Sequence, residues 1–314
     1  MKTVFVSVAV FALGLLGLWL WTPDRARTGL EAAYLQSPDD MIEIAGTRLH
    51  VRDDGPEAAP AVIMVHGFGA SLHTWEPWAE ALAGDFRVVR FDLPGSGLSP
   101  PDPTGVYTDE RSIELILALM DDKGLDRASV IGNSIGGRIA WTLAARHPDR
   151  VDRLVLIAPD GFASRGFAYG EPAEVPAVLS LMRYVLPPWL VRPTLEDSYG
   201  DPSRLGEDTF RRYYDLLLAP GARGANLARL RQTVLTDPRP LLRGLKRPVL
   251  LVWGEKDRLI PVENAEDYLA ALPDARAVTF PDLGHVPHEE APKRTLRPVR
   301  AFLAGQGSSG SQAP

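Results

Sequence analysis

From residue 41 onward, short β-branched runs alternate with amphipathic stretches. Ile42-Glu43-Ile44 and Arg48-Leu49-His50-Val51 flank Gly46, which predicts a hairpin. Residues 61–65, 87–91, 129–131, 153–157, 249–253 and 277–280 follow as further strands. Four of these are continuous apolar runs, the pattern of parallel strands covered on both faces. Helical spacing occupies 75–83, 109–122, 135–146, 263–272 and 291–303. The alternation predicts an α/β fold: a mostly parallel, twisted sheet with right-handed crossovers and helices on both faces.

Between residues 161 and 244 the alternation breaks. The stretch has no convincing strand, and Pro172, Pro176, Pro187, Pro188, Pro193 and Pro202 divide it into short pieces. A loop this long without structure of its own would be exceptional, so it reads as a helical cap inserted into the sheet. The organisation expected is therefore an N-terminal segment (1–27), a core in two parts (28–160 and 245–304), the cap (161–244) and a disordered Gly/Ser/Gln-rich tail (305–314).

Residues 4–21 carry no charge. At ~1.5 Å per residue they would reach about 27 Å, close to the hydrocarbon thickness of a bilayer. Lys2 precedes the run, Asp24, Arg25 and Arg27 follow it, and Trp19 and Trp21 sit where an aromatic belt would lie. This predicts a single membrane anchor, with the catalytic domain on the extracytoplasmic side. The alternative is a cleaved signal peptide, but Trp21-Thr22-Pro23-Asp24-Arg25-Ala26-Arg27 is a poor cleavage site. Residues 28–40 read as a spacer before the sheet.

The chemistry concentrates at Gly132-Asn133-Ser134-Ile135-Gly136-Gly137. An apolar strand runs into Gly-x-Ser-x-Gly and then into a helical pattern. Glycines on either side of Ser134 allow a sharp turn and close helix packing, and the helix N-terminus brings N–H groups beside the hydroxyl.

In this context residues 41–304 resemble the α/β-hydrolase superfamily. Ala61-Val62-Ile63-Met64-Val65-His66-Gly67-Phe68-Gly69 is similar to its strand and oxyanion loop. Asp92-Leu93-Pro94-Gly95-Ser96-Gly97-Leu98-Ser99 is similar to the turn after the next strand. Trp253-Gly254-Glu255-Lys256-Asp257-Arg258-Leu259-Ile260-Pro261 resembles the acid loop and Leu283-Gly284-His285 the histidine loop; the order Ser134, Asp257, His285 is the family order. The resemblance implies Ser134 as nucleophile, His285 as general base and then acid, and Asp257 as the group that orients the imidazole. It also implies an oxyanion hole from the backbone N–H groups of Phe68 and Ile135.

Rivals exist for each role. Glu255 and Asp160 compete with Asp257, and His288 competes with His285. His66 reads as a support for the oxyanion loop, and Ser96 and Ser99 as turn formers. No His/Asp/Glu cluster has metal-ligand spacing and no phosphate loop appears, so no cofactor is expected.

Composition narrows the partners. Lys+Arg 34 against Asp+Glu 40 gives a net charge of −6, which argues against nucleic acid. Cysteine is absent, which removes disulfides and a thiolate nucleophile. The leading expectation is a membrane-anchored serine hydrolase of short-to-medium acyl esters or monoacylglycerols. The alternative is a carbon–carbon bond hydrolase of the meta-cleavage product type, whose nucleophile motif often has Asn before Ser. That group usually carries Trp directly after the catalytic His, where this chain has Val286-Pro287, a sequence closer to esterases and monoacylglycerol lipases. Relatives with an Asp nucleophile are disfavoured by Ser134, and a non-catalytic binding protein by the complete triad.

Overall fold

The computed structural model describes Gly17, residues 19–163 and residues 168–305. Eight strands form one sheet: β1 (Met41–Ile44), β2 (Thr47–Asp54), β3 (Ala61–Val65), β4 (Arg87–Phe91), β5 (Ala128–Asn133), β6 (Val151–Ile157), β7 (Val249–Gly254) and β8 (Ala275–Phe280). Their order is β1-β2-β4-β3-β5-β6-β7-β8. β1 and β2 pair antiparallel, as do β2 and β4, and every pair from β4–β3 to β7–β8 is parallel. The hairpin turn places Ala45 and Gly46 at φ 46° and 73°, the two positive values of a two-residue turn matched to strand twist.

The apolar runs behave as their continuity requires. Every residue of β4, β5 and β7 is buried, because helices cover both faces. One apolar layer joins the sheet to the helices Asp109–Asp122, Ile135–Arg146 and Asn264–Ala271. The other joins it to Glu76–Leu82 and Pro292–Leu303. The parallel strands all end on one edge of the sheet, so the loops that follow β3, β5, β7 and β8 converge there.

Between β6 and β7 the chain leaves the sheet and forms the helices Pro188–Glu196, Glu207–Leu217, Ala222–Gln232 and Arg239–Gly244. Leu186, Tyr199, Leu205, Phe210, Tyr214 and Leu218 give this cap an apolar cluster of its own. Val286, from the loop after β8, packs into that cluster.

The N-terminal expectations need correction. No helix among the described residues is long and apolar enough to cross a membrane. Membrane anchoring by a single N-terminal helix, and the extracytoplasmic placement that depended on it, are therefore not retained. Most of the 4–21 run lies outside the described residues, as does the expected tail from residue 306. Where the run ends, the chain is tied to the cap. Thr22 N–H donates to Tyr184 O at 2.8 Å, and its hydroxyl accepts from Leu186 N–H at 3.0 Å. Trp21 stacks on Tyr184.

Nor are residues 28–40 a spacer. They contain most of the helix Arg27–Tyr34, whose Leu30 is buried among Leu98, Leu216, Ala219 and Ala222. Tyr34 donates to Asp215 at 2.9 Å and its carbonyl accepts from His73 Nε2. Asp24 pairs with buried Arg223 at 2.6 Å. The segment thus straps the cap to the core, for reasons invisible to periodicity: one buried leucine and several polar contacts with residues far along the chain.

Deleting residues 1–35 is accordingly expected to destabilise the protein, whereas a spacer could be removed freely. Re-exposing Leu30 alone costs about 1.5–3 kcal/mol, and stranding buried Arg223 adds about 1.5–3 kcal/mol. Asp24→Ala in the full chain isolates the second contribution. Thermal unfolding of both variants checks this, and an unchanged midpoint in each would remove the strap's structural role.

Candidate active site

Ser134 stands at the turn between β5 and the helix Ile135–Arg146, with φ 56° and ψ −122°. A non-glycine residue in this region stores about 1–3 kcal/mol of strain, so its surroundings must hold it. Here Ser134 N–H donates to Ile157 O at 3.0 Å, and Ser134 O accepts from Asp160 and Gly137 N–H at 3.0 and 2.9 Å. The flanking glycines are obligatory. A Cβ on Gly132 would lie 2.2 Å from Gly136 O, and one on Gly136 would lie 2.2 Å from Val65 O. The serine is half-buried at the head of its helix.

The other two expected residues meet. His285 Nδ1 lies 2.8 Å from Asp257 Oδ2, with the aspartate side chain fully buried. Asp257 Oδ1 accepts from Leu259 and Ile260 N–H at 2.8 and 2.9 Å, which fixes the carboxylate plane. A carboxylate can only accept, so Nδ1 carries the proton and Nε2 is the basic nitrogen. Asn133 links this pair to the nucleophile. Its amide donates to His285 O and Ile157 O, both at 3.1 Å. The residue beside Ser134 therefore suspends the histidine loop.

The oxyanion loop reaches the same point. A Cβ on Gly67 would stand 3.3 Å from Ser134 Cβ, so this backbone lies directly against the serine. His66 is buried, with Nε2 accepting from Leu93 N–H at 3.0 Å and Nδ1 donating to Gly67 O at 2.8 Å. Burial pushes its pKa down, keeping the ring neutral as these two bonds require. The Gly67–Phe68 peptide is planar and trans, so holding the Gly67 carbonyl also fixes the direction of Phe68 N–H. That N–H donates to no partner among the described residues. Ile135 is the first helical residue and its N–H has no intrahelical acceptor. Both amides are thus available to an oxyanion.

The rivals are engaged elsewhere. Asp160 pairs with Arg138, which also grips Asp109 with two hydrogen bonds of 2.8 and 3.1 Å. Glu255 accepts from Thr279 at the surface. His288 sits 2.9 Å from Thr74 Oγ1 and stacks on Trp75 at 4.3 Å; burial, then the neighbouring His285, pushes its pKa down to about 3. Ser99 donates to Asp92 O and accepts from His50 N–H, as a turn former would. Among the described residues no group of three or more His, Cys, Asp or Glu could hold a metal ion.

Three contributors are given no role by the sequence: Asn133 and Asp92 appear only as members of motifs, and Glu290 carries no signal at all. Asp92 accepts from Leu72 N–H at 2.6 Å, Leu98 N–H at 2.8 Å and His50 Nδ1 at 2.7 Å, bracing the oxyanion loop from behind. Burial pushes its pKa up, but the charge and hydrogen bond of His50 outweigh that and leave it below the ordinary value. The signal for Asn133 is its place directly before Ser134 in the nucleophile motif.

The cap supplies one further group. Arg229 is only 5% exposed. Its guanidinium donates to Pro94 O at 3.2 Å and lies 5.5 Å from the Tyr107 ring centroid, with no carboxylate paired to it among the described residues. Burial pushes its pKa down to about 10, so it remains a cation. The nearby charges of Asp109 and Asp102 favour its protonated form, whereas Arg138, one turn beyond Ser134, opposes it.

Comparison with known proteins bears on the family and the fold. A model of the α/β hydrolase fold matches residues 60–292. The 2-hydroxymuconate semialdehyde hydrolase of Pseudomonas putida is 30% identical over 286 residues, covering 86% of this chain and 96% of that one. A meta-cleavage product hydrolase from Pseudomonas fluorescens IP01 superposes with a TM-score of 0.73 at 24% identity, over 85% of this chain and 98% of its own, which bears on the fold alone. A membrane phospholipase A described as a bacterial virulence factor has a TM-score of 0.71 at 26% identity, over 98% of this chain and 100% of its own.

Proposed function

Because the chain belongs to the α/β-hydrolase fold family, we propose that it is a serine hydrolase attacking a carbonyl with Ser134, and that its substrate is a carboxylate-bearing vinylogous diketone cut at a carbon–carbon bond. The reaction rests on one observation, the buried Asp257–His285 pair suspended from Asn133 beside Ser134. His285 Nε2 takes the Ser134 proton as the oxygen adds to the carbonyl carbon. The negative charge that develops on the carbonyl oxygen faces the N–H groups of Phe68 and Ile135, donors worth about 3 kcal/mol each at the transition state. The carbon–carbon bond then breaks, its electron pair leaves as a conjugated enolate, and the imidazolium protonates that leaving group. Water, deprotonated by His285, releases the acyl group. Asp257 stabilises the imidazolium throughout.

Two things support this substrate class over the ester with which the sequence reading led. The hydroxymuconate hydrolase is the kind of relative the alternative called for. Arg229, buried and without a carboxylate of its own, is the group a substrate carboxylate would seek.

Ester hydrolysis is the second reading, and a specific feature favours it. The residue after His285 is Val286, seated among apolar cap residues, and the match to the membrane phospholipase extends over almost the whole chain. The same machinery would serve, with an alcohol as leaving group.

Steady-state rates on a 2-hydroxy-6-oxo-dienoate and on neutral esters of two to ten acyl carbons separate the two. Carbon–carbon hydrolysis predicts kcat/KM at least tenfold higher for the dienoate, and an Arg229→Met loss on that substrate of about 10–100-fold, the 1.5–3 kcal/mol of a hydrogen bond to a charge. A kcat/KM rising severalfold per two acyl carbons, with no dienoate turnover and no effect of Arg229→Met, establishes the ester reading instead.

A further inference from the structure

We infer that Glu290 is a positioning residue for His285, and that through it the cap sets the alignment of the catalytic base. The inference rests on His285 acting as base, whichever substrate class applies.

The Glu290 side chain is fully buried. Its Oε2 accepts from Gly284 N–H at 2.8 Å and from Gly200 N–H at 3.0 Å. Its Oε1 accepts from Asp201 N–H at 3.0 Å and faces Arg204 at 3.5 Å. Gly284 immediately precedes His285, whereas Gly200, Asp201 and Arg204 belong to the cap. One carboxylate therefore binds the two parts at the root of the histidine loop.

The opposite strand of the joint runs the other way. Ser198 O, in the cap, accepts from His285 N–H at 2.8 Å and from Val286 N–H at 3.3 Å. His285 O, in turn, accepts from Asn133 in the core. The histidine backbone is thus held on its N–H side by the cap and on its carbonyl side by the residue next to the nucleophile. The approach is too close for side chains: a Cβ on Gly200 would stand 2.5 Å from Asp282 O, and one on Gly284 would stand 2.4 Å from Gly200 N. Beside it, Glu289 accepts from the cap hydroxyls of Tyr199 at 2.7 Å and Tyr213 at 3.0 Å.

A buried carboxylate is tolerated only when its lone pairs are filled, and here three backbone donors and an arginine fill them. A glutamine cannot do the same. Its NH₂ group would face an N–H donor, and one side of the joint would open. Reacting groups displaced by ~1 Å lose about 10²-fold in rate. The joint consequently couples cap seating to base alignment: a detached cap leaves the Asp257 and Asn133 bonds to His285 in place but frees the N–H side of its backbone.

The test compares Glu290→Gln, Glu290→Asp and Gly200→Ala with wild type and His285→Ala in the full chain. Readouts are kcat, KM, the pH profile of kcat/KM, thermal unfolding and the rate of fluorophosphonate labelling of Ser134. Folded Glu290→Gln is expected to lose about 10–100-fold in kcat and in labelling rate. KM stays within about threefold and the acid limb of kcat/KM moves, because the His285–Asp257 contact changes. Glu290→Asp restores part of the loss. Gly200→Ala, which presses the joint open from the cap side, gives the same signature, and the double variant adds little. If Glu290→Gln does not fold, Gly200→Ala and the half-exposed Arg204→Met carry the comparison, the latter with a smaller loss. Wild-type kcat, labelling and pH profile in the folded joint variants, with only a lowered unfolding midpoint, overturn the positioning role. Labelling that survives in His285→Ala overturns the base assignment itself and is read independently of the joint.

Discussion

Replacing Ser134 with alanine is expected to lower turnover by about 10⁴-fold or more and to abolish fluorophosphonate labelling, with the fold retained. The side chain is small and half-buried, and alanine lacks only the oxygen that attacks. The strained backbone at φ 56° remains, held by bonds from Ile157, Asp160 and Gly137 that no side chain supplies. Activity above a few per cent in protein free of wild type would show that another residue is the nucleophile. The companion comparison is Asp257→Asn against Asp160→Asn. The first puts an NH₂ or a weaker acceptor against His285 Nδ1 and is expected to cost about 10⁴-fold in kcat. The second removes a charge from Arg138, which keeps two bonds to Asp109, and should act on stability far more than on rate. A reversed order would move the catalytic acid to the end of β6.

The second large effect is acid unfolding at mild pH. His66 and His288 are buried and His73 is half-buried, and desolvation drives all three pKa values down, to about 4 for His73 and about 3 for His288. In the unfolded chain each titrates near 6.5. Below that value the unfolded state binds protons that the native state refuses, so stability falls with pH until the native pKa is reached. Each group removes up to about 1.4 kcal/mol per pH unit, and the three together up to about 4. Domains hold only about 5–15 kcal/mol in total, so cooperative unfolding is expected between pH ~6 and ~4. Asp92, with its lowered pKa, adds to the loss only as pH falls below the ordinary carboxylate range. Urea midpoints at half-unit intervals from pH 7.5 to 4.5 measure the slope. Substituting His288 by Phe, which can keep the stacking on Trp75, should flatten it by about a third at the steep part of the curve. A midpoint independent of pH over that range would mean that these rings take up protons as readily in the native protein as in the unfolded chain.

The acid slope has a consequence for the site. His66 holds the Gly67 carbonyl and His288 sits three residues past His285, so proton uptake at either strikes the oxyanion loop or the histidine loop first. Loss of activity on acidification is therefore expected to precede or accompany loss of the sheet, never to follow it.

The sequence by itself determined the sheet. All eight strands and the five helices that cover them lie where apolar periodicity placed them, because each must bury a continuous run or a single face, and that requirement is local. It also determined the elbow. Gly132 and Gly136 have no tolerance for a Cβ, and a strand ending in Gly-x-Ser-x-Gly before a helix has few other uses. Asp257 and His285 were candidates by resemblance to the family's loops and by chain order, and the structure brings their side chains together.

Only the tertiary structure decided what those residues lean on. Asn133, Asp92 and Glu290 hold the site through backbone groups, with Glu290 reaching from residue 290 to residues 200 and 201. A backbone N–H is the same at every position, so no composition, spacing or periodicity announces which carboxylate will accept from it. The same holds for the strap. Residues 28–40 contain one well-buried apolar side chain, Leu30, and Tyr34, whose hydroxyl binds Asp215 in the cap and whose carbonyl binds His73 in the core. A segment read in isolation has no face to bury, and only the cap's arrival over it creates one.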